Sequence, residues 1–432
     1  MIIVGVCKLT IIVIGQKDLF KNIKPFLIDT LSDKQIIFYQ SHTLFGYKRN
    51  KILSAIRAAC IENTAAAIVL TTENSETARI AALLKGLPNK EVYYIPHYVY
   101  TRLSEIKNIS GYLVPVDLHK PRLNYLEFQV TDHCNLNCKG CTHFSNLEEK
   151  ELFADLNTYI ADIKRVKELF WGISTIRLMG GEPLLNSDLW QFIRVTRTVF
   201  PDADIRIVTN GLLIPKTDES LFSAMRDTDS GFDVSPYIPT VKIMDKIRRT
   251  IRENNLELKM TSMGIGKSQQ VDHFYKKLTL NPVNDSRRSF TKCEYYGCLF
   301  LRDGTISQCP VAKLIGKFNS AYNLHYPVNE GRNIHENIDP WELEQSLHNP
   351  IDFCAYCTEI SQSFRWERCP RKKSMMEDWL VAESEIPMLK EEEQSPATNL
   401  VSKAGKALSH TPTIRYYVSR LYKNMLYKNR LL

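Results

Sequence analysis

The chain has 432 residues, of which 44% are hydrophobic and 24% charged, with 11 cysteines and a formal net charge of +8. This length exceeds what a single hydrophobic core usually serves and predicts two or three domains, and the composition is that of an ordinary soluble globular protein. No uninterrupted apolar run reaches 18 residues, so the sequence predicts no transmembrane helix.

The distribution of cysteines and charges indicates a reducing compartment. Nine cysteines lie between Cys134 and Cys369, several at spacings typical of metal ligands rather than of disulfides in a secreted chain. The apolar residues 1–15 are interrupted by Lys8 and predict a buried strand rather than a signal peptide. We therefore expect a cytoplasmic protein. Because seven basic and no acidic residues lie in 395–432, the excess charge belongs to the tail, and we expect no nucleic-acid partner.

Residues 1–120 are predicted to form an α/β domain. Apolar runs of strand length at 11–14, 35–39, 67–70 and 92–95 alternate with helical periodicity, which favours a parallel, Rossmann-like sheet. Cys7 and Cys60 are expected in its core. The turn after Ile14, GQKDLFKN, lacks the glycines of a dinucleotide fingerprint, so no NAD site is predicted.

Residues 121–290 continue the alternation of strands and helices. The predicted strands are 124–130, 175–179, 204–208, 232–235 and 256–260. The predicted helices are 154–170, a second that ends near residue 200, and 240–255. Asn186, Ser187 or Asp188 is expected to cap the start of the second helix. A cysteine-rich loop follows the first strand directly. This is the position of a βα loop at the C-terminal face of a (β/α) barrel, where such barrels carry their chemistry.

That loop, residues 132–145, reads DHCNLNCKGCTHFS and places Cys134, Cys138 and Cys141 at spacing CX3CX2C. Three thiolates can converge on one soft metal centre, but a closed structural site normally takes four protein ligands. The loop therefore predicts a 4Fe-4S cluster with one free iron. The alternative is a fragment of a zinc knuckle, or a few buried thiols.

The spacing resembles the signature of radical SAM enzymes, which have a partial (β/α)6 barrel. The resemblance implies that S-adenosylmethionine chelates the fourth iron and is cleaved reductively to a 5'-deoxyadenosyl radical. It further implies cofactor contacts at Gly180, Gly181, Glu182 and Pro183, which form a GGEP turn, and at Asn210 and Ser235, which follow the next two strands. Asn210, Ser235 and the neighbouring Thr209 could equally cap turns.

One position departs from the family pattern. The residue before the third cysteine is often aromatic and lies near the adenine, but here it is Gly140. His143 or Phe144 could take its place, or could simply pack in the core.

A second cysteine set occupies residues 291–370. Residues 292–311 read KCEYYGCLFLRDGTISQCPV, which predicts a β-hairpin around RDGT, and CAYC follows at 354–357. The pattern resembles the twitch, or shortened SPASM, domain. That resemblance implies that Cys293, Cys309, Cys354 and Cys357 hold an auxiliary 4Fe-4S cluster, with a zinc ribbon as the alternative.

The remaining cysteines and the tail have no clear place in this pattern. Cys298 and Cys369 are left over, and Trp366 and Arg368 are expected to pack around the auxiliary site. Residues 371–432 are acidic and then basic. They predict a poorly ordered end, or else a helix that contacts an anionic membrane surface or an acidic partner.

The resemblance implies an oxidoreductase that abstracts a hydrogen atom from its substrate, with the auxiliary cluster accepting the electron left on the substrate. Residues 131–145 are similar to those of radical SAM proteins associated with surface-polysaccharide synthesis, so we expect a sugar or sugar-derived alcohol as substrate, and a flavodoxin or ferredoxin as reductant. The alternatives are modification of a peptide or protein and, in another class, a non-catalytic zinc-binding interaction protein. No general base is assigned, although Asp233 and Tyr237 flank a strand end near the site.

Overall fold

The computed structural model describes residues 10–30, 35–41, 65–71, 91–96, 99–100, 103, 106, 108–260, 270–369 and 374–386. They fall into two compact units, one within Met1–Asn124 and Leu169–Ser174, the other within Tyr125–Glu168 and Thr175–Leu432. The expectations for Cys7, Cys60 and the basic tail lie outside the described residues. None of the helices in the described part is long and apolar enough to cross a membrane.

The first unit contains a five-stranded sheet. Its elements are β1 (Thr10–Gln16), α1 (Lys17–Thr30), β2 (Gln35–Ser41), β3 (Ala65–Thr71), β4 (Glu91–Tyr94) and β5 (Val114–Pro115). The strand order is β2-β1-β3-β4-β5, and β1 to β4 are mutually parallel. The four predicted strands and their parallel arrangement are therefore confirmed. The antiparallel β5 was not predicted, since a two-residue strand carries no periodicity.

The second unit is built around an eight-stranded sheet. The described strands that lie wholly or mostly in this unit are β6 (Arg122–Thr131), β7 (Gly172–Gly180), β8 (Asp204–Thr209), β9 (Gly231–Val234), β10 (Glu257–Met260), β11 (His273–Leu278), β12 (Phe300–Arg302), β13 (Thr305–Ser307), β14 (Arg332–Asn333) and β15 (Cys357–Arg365). Its helices are α2 (Leu156–Leu169), α3 (Leu189–Val199), α4 (Glu219–Asp227), α5 (Ile238–Val241), α6 (Met244–Glu253), α7 (Ser286–Thr291), α8 (Pro310–Leu314), α9 (Gly316–Tyr322) and α10 (Pro340–Ser346).

The order in the large sheet is β10-β9-β8-β7-β6-β12-β13-β14, and β11 pairs with β15 separately. Strands β7 to β10 are parallel to one another and follow the chain order, with helices between β6 and β10, as the alternation predicts. The result is an α/β fold with mixed sheets, consistent with a partial barrel.

The predicted helix 240–255 is wrong in one respect, because the structure divides it into α5 and α6. Ile243 between them leaves helical geometry, with φ −116° and ψ 14°. The hydroxyl of Thr240 donates to the carbonyl oxygen of Asn210 at 2.6 Å. That bond fixes α5 to the end of β8, so that the chain must turn before α6 can pack its own apolar face.

One face of β6 forms the core beneath the helices. Leu126, Phe128 and Val130 alternate along the strand and are at most 5% exposed. The ring of Phe128 lies 4.3 Å from that of Tyr159 on α2 and 6.1 Å from that of Phe192 on α3. Aromatic contacts at these distances stabilise the packing beyond their buried area. The opposite face, which carries Glu127 and Gln129, leads towards the cysteine loop.

The predicted hairpin around RDGT is confirmed as β12 and β13. Asp303 and Gly304 have φ of 49° and 70°, the left-handed pair that a two-residue type I′ hairpin turn requires. Strand β12 also pairs in parallel with β6, with Phe300 opposite Glu127. That pairing joins segments about 170 residues apart in the sequence, so no local pattern predicts it.

Candidate metal centres

The three cysteines of the first loop lie together immediately after β6. Cys134, Cys138 and Cys141 are free thiols, and all three pack in one cluster with Leu136 and Trp366. Burial, and then the nearby Glu182 carboxylate, raise the pKa of Cys134 to about 12. Burial, followed by the charges of Cys141 and Cys134, raises the pKa of Cys138 well above its ordinary value. The loop thus holds its thiols in a buried site that disfavours isolated thiolates and would favour them beside a cationic centre.

The GGEP turn at the end of β7 contacts this loop through its backbone. Gly181 N donates to Thr131 O at 2.9 Å, and Glu182 N donates to His133 O at 3.0 Å. A Cβ on Gly180 would overlap the Thr131 carbonyl oxygen, and one on Gly181 would overlap that of His133. The two glycines therefore permit the backbone of the GGEP turn to lie directly against the backbone of residues 131–133.

Glu182 joins the turn to the end of β8. It is fully buried, and burial raises its pKa to about 7. Its Oε1 accepts from the Thr209 hydroxyl at 2.6 Å and from Leu184 N at 3.1 Å, while Oε2 accepts from Asn210 N at 2.8 Å. An ammonium group of a bound ligand would therefore have to share the Glu182 carboxylate with these three donors.

The other predicted cofactor residues lie at neighbouring strand ends. The Asn210 side chain donates from Nδ2 to Asn135 Oδ1 at 2.8 Å and lies 3.9 Å from Cys134 Sγ. Ser235 follows β9, where its N donates to Thr209 O at 2.9 Å, and Pro183 is buried in the short turn after Glu182. The structure brings the GGEP turn and Asn210 directly to the cysteine loop, and Ser235 to the adjacent strand end.

The sequence left the role of several aromatic residues open. Phe144 is fully buried and packs against Phe318 and Trp379, so it belongs to the core. His143 Nδ1 lies 3.3 Å from Gln129 Oε1, and burial lowers its pKa to about 4. Tyr237 packs against the cysteine cluster instead, and after burial the charges of the three cysteines are the next causes that raise its pKa.

The four cysteines of the second set also converge. Cys293 follows α7, Cys309 caps α8, Cys354 lies in the 3-10 turn Asp352–Tyr356, and Cys357 begins β15. Burial raises the pKa of Cys309 well above its ordinary value, and the charges of Cys293, Cys357 and Cys354 add to that rise. Cys293, Cys309 and Cys357 line a cavity of about 40 Å³.

Lys277 on β11 lines the same cavity. Burial acts to lower its pKa, but the charges of Cys293, Glu294, Cys357 and Cys309 outweigh burial, so that the pKa of Lys277 is raised. This lysine was not identified from the sequence, because two adjacent lysines in a half-polar strand give no pattern that separates one from the other. It places a positive charge beside the four thiols.

The expectation for Trp366 and Arg368 is wrong, because both lie on the first cysteine loop. Trp366 packs with Leu136 and Cys138, and Arg368 Nε donates to Leu136 O at 3.0 Å. The physical reason is strand β15, which pairs with β11 from Leu278 opposite Cys357 to His273 opposite Arg365 and so carries the chain roughly 17 Å away from the auxiliary cysteines. Cys369 also lies at the first loop, where its N donates to Asn137 O at 2.7 Å.

The two cysteine sets are better explained as ligands of iron-sulfur clusters than as isolated thiols. In the described part of the chain, no three His, Cys, Asp or Glu side chains stand close enough to hold a single metal ion. Thiolates on a four-iron cluster bind different irons, so they do not need such close spacing. The indole N–H of Trp366 is buried without a hydrogen-bond partner among the described residues, and Trp366 packs in the same cluster as Cys138. A cluster-bound thiolate would provide this buried donor with an acceptor.

Comparisons with known proteins identify the central segment. Residues 128–259 match the model of the Radical SAM superfamily. The chain is 27% identical over 187 residues to the GTP 3',8-cyclase of Alkaliphilus oremlandii, which covers 39% of this chain and 56% of that protein. It is 26% identical over 277 residues to a probable GTP 3',8-cyclase of Methanococcus aeolicus, covering 57% and 85%.

The chain thus spans little more than half the length of the Alkaliphilus relative. Among solved structures, BtrN in complex with AdoMet and 2-DOIA aligns with a TM-score of 0.34 at 18% identity, covering 55% of this chain and 94% of that one. The matched segment, residues 128–259, contains CX3CX2C, GGEP and the strand ends that meet them. Residues 128–259 of this chain are therefore similar to the radical SAM superfamily.

Proposed function

We propose that this chain is a radical SAM enzyme that reductively cleaves S-adenosylmethionine and abstracts a hydrogen atom from an alcohol carbon of a sugar or sugar-derived substrate. The observation that carries the proposal is the direct hydrogen bonding of the GGEP turn and of Asn210 to the CX3CX2C loop. Three elements distant in sequence thereby meet at one end of the parallel strands, where α/β folds bind ligands.

In this proposal Cys134, Cys138 and Cys141 hold a 4Fe-4S cluster that keeps one iron open for S-adenosylmethionine. When bound, the reduced cluster supplies the electron for cleaving the cofactor, and hydrogen-atom abstraction is the chemistry that this pair provides. The chain's own residues hold the loop and orient the cofactor. Those assigned to the cofactor are Gly180, Gly181, Glu182, Pro183, Asn210 and Ser235.

Glu182 has two functions in this assignment. Its three hydrogen bonds fix the GGEP turn relative to the end of β8, and its remaining lone-pair capacity is open to the methionine ammonium. The turn is consequently preorganised before the cofactor binds, which avoids an ordering cost at that step.

Cys293, Cys309, Cys354 and Cys357 are proposed to hold an auxiliary 4Fe-4S cluster. The positive charge of Lys277 in the same cavity would favour the form of the cluster that carries one more electron. This supports dehydrogenation, in which the electron left on the substrate must pass to an acceptor. A flavodoxin or ferredoxin is the proposed external reductant.

The experiment is anaerobic reconstitution with iron and sulfide, followed by measurement of iron per chain and of 5'-deoxyadenosine formed with dithionite and S-adenosylmethionine. We expect about eight irons, as two four-iron clusters require. The Cys134→Ala, Cys138→Ala, Cys141→Ala variant should hold about four irons and form no nucleoside. Cys298→Ala is the matched control and should behave as the parent does.

Bound zinc, with no nucleoside from the parent, would refute the enzyme and support the non-catalytic zinc-binding alternative. The substrate class is tested next, by comparing nucleoside formation with an aminocyclitol, a sugar nucleotide, a peptide and GTP, the nucleotide in the names of the matched relatives. Turnover with the peptide alone would favour the peptide-modifying alternative over dehydrogenation of a sugar.

A further inference from the structure

A short segment near the end of the described chain lies along the CX3CX2C loop. Residues 366–369, here called the strap, form an antiparallel bridge in which Cys138 is opposite Arg368. Lys139 N donates to Glu367 O at 2.9 Å, and Cys369 N donates to Asn137 O at 2.7 Å. Residues 137–139 of the cysteine loop are thereby paired with backbone about 230 residues downstream.

Arg368 adds a second set of bonds to the loop. Its Nε donates to Leu136 O at 3.0 Å, and its Nη2 donates to Asn135 O at 3.2 Å. These carbonyl groups lie between Cys134 and Cys138, where the loop has no regular secondary structure of its own. One planar guanidinium therefore fixes the backbone that sets the separation of two proposed ligands.

Trp366 positions an indole beside the cysteines. Its N donates to Asp272 O at 2.9 Å, its ring lies 5.3 Å from that of Tyr237, and it is 5% exposed. The indole N–H has no hydrogen-bond partner among the described residues, and Trp366 packs in one cluster with Leu136 and Cys138. A buried N–H without an acceptor is unfavourable, and a metal-bound thiolate is the acceptor within its reach.

We propose that the strap is a positioning element that tunes the reduction potential of the first cluster. Trp366 donates its indole N–H to the Cys138 sulfur, and Arg368 holds the loop. This inference rests on the proposed ligation of the cluster by Cys138. Hydrogen bonds to cluster sulfur set the reduction potential of iron-sulfur centres. One-electron reduction by dithionite adds negative charge, which a donor stabilises. Trp366 therefore raises the reduction potential of this cluster.

The test replaces the N–H while keeping the aromatic packing. Trp366→Phe is compared with Trp379→Phe, whose indole donates to the backbone oxygen of Cys141 at 2.9 Å rather than to sulfur. The midpoint potential of the first cluster is followed by EPR, and that cluster is identified by the change in its signal when S-adenosylmethionine is added. We expect a more negative potential for Trp366→Phe at parental iron content, and an unchanged potential for Trp379→Phe.

Equal potentials in the parent and a fully loaded Trp366→Phe would overturn the tuning role. If Trp366→Phe does not fold, benzothienylalanine at position 366 keeps the bicyclic shape without the N–H and gives the same readout. A parent that binds no four-iron cluster refutes the proposed function itself, a separate outcome from a loaded parent with an unshifted variant.

Arg368 is tested by the rate at which a chelator removes iron. Arg368→Met should lose iron several-fold faster than the parent. Arg365→Met, which removes the same charge from an exposed position three residues earlier, should not. Equal rates for the parent and both variants would show that the strap does not hold the loop.

Discussion

Substitution of Gly181 by alanine tests the contact between the GGEP turn and the cysteine loop. A Cβ at this position would lie well inside 3.0 Å of the carbonyl oxygen of His133, a backbone atom that cannot rotate away. The two segments must therefore separate. Separation breaks the bonds from Gly181 N to Thr131 O and from Glu182 N to His133 O.

The magnitude follows from those two bonds. Each backbone hydrogen bond contributes about 1 kcal/mol net, so the variant should be destabilised by about 2 kcal/mol, and by more if Glu182 loses its partners at β8. For a unit of this size the melting temperature should fall by roughly 4 °C or more. Thermal unfolding followed by circular dichroism measures the shift, and iron per chain after reconstitution measures the effect on the site.

Gly316→Ala is the matched control. Nothing lies within 4 Å of a Cβ at this position, at the start of α9, and alanine favours a helix there. This variant should be as stable as the parent or slightly more stable, with full iron content. If Gly181→Ala keeps both the parental melting temperature and the parental iron content, the close approach of turn and loop is refuted.

Three further substitutions test the described contacts of the second unit. Glu127 is buried, and burial raises its pKa from 4.5 to about 7. Between these two pH values the folded chain binds this proton and the unfolded chain does not, so the parent loses up to about 3 kcal/mol of stability as the pH rises from 4.5 to 7. Glu127→Gln should therefore have a higher melting temperature than the parent at about pH 8 but not at about pH 4.5. Arg302→Met removes two hydrogen bonds of 2.7 and 2.8 Å to the buried Asp132, and the free energy of unfolding in urea should fall by about 3 kcal/mol. The stability of Arg302→Lys should lie between those of the parent and Arg302→Met. Tyr159→Phe removes the 2.6 Å hydroxyl contact with Thr196 and should cost about 1 kcal/mol; an unchanged urea midpoint would contradict that contact.

The elements that the sequence predicted are those with local causes. Strands β6 to β9 and helices α2 and α3 follow from apolar periodicity within single segments, and the turn at Asp303 and Gly304 follows from residue types suited to positive φ. The cysteine spacings likewise come from short stretches of chain. Each of these signals lies within about 20 residues.

The features that the sequence did not reveal depend on contacts between distant segments. Strand β12 joins β6, and β11 joins β15, through backbone bonds that carry no residue signature. Lys277 reaches the auxiliary cysteines only because of the β11 pairing. The separation of α5 from α6 depends on one hydroxyl of Thr240 meeting a carbonyl at the end of β8.

Strand β15 explains why the last cysteine-containing segment was assigned to the wrong site. It starts at Cys357, among the auxiliary cysteines, and nine extended residues later it delivers Trp366 to Cys138. Its pairing with β11, from Leu278 opposite Cys357 to His273 opposite Arg365, fixes the course of the chain between the two groups of cysteines. The strap therefore reaches the first loop through a pairing of distant segments, and no local pattern in the sequence could have revealed that pairing.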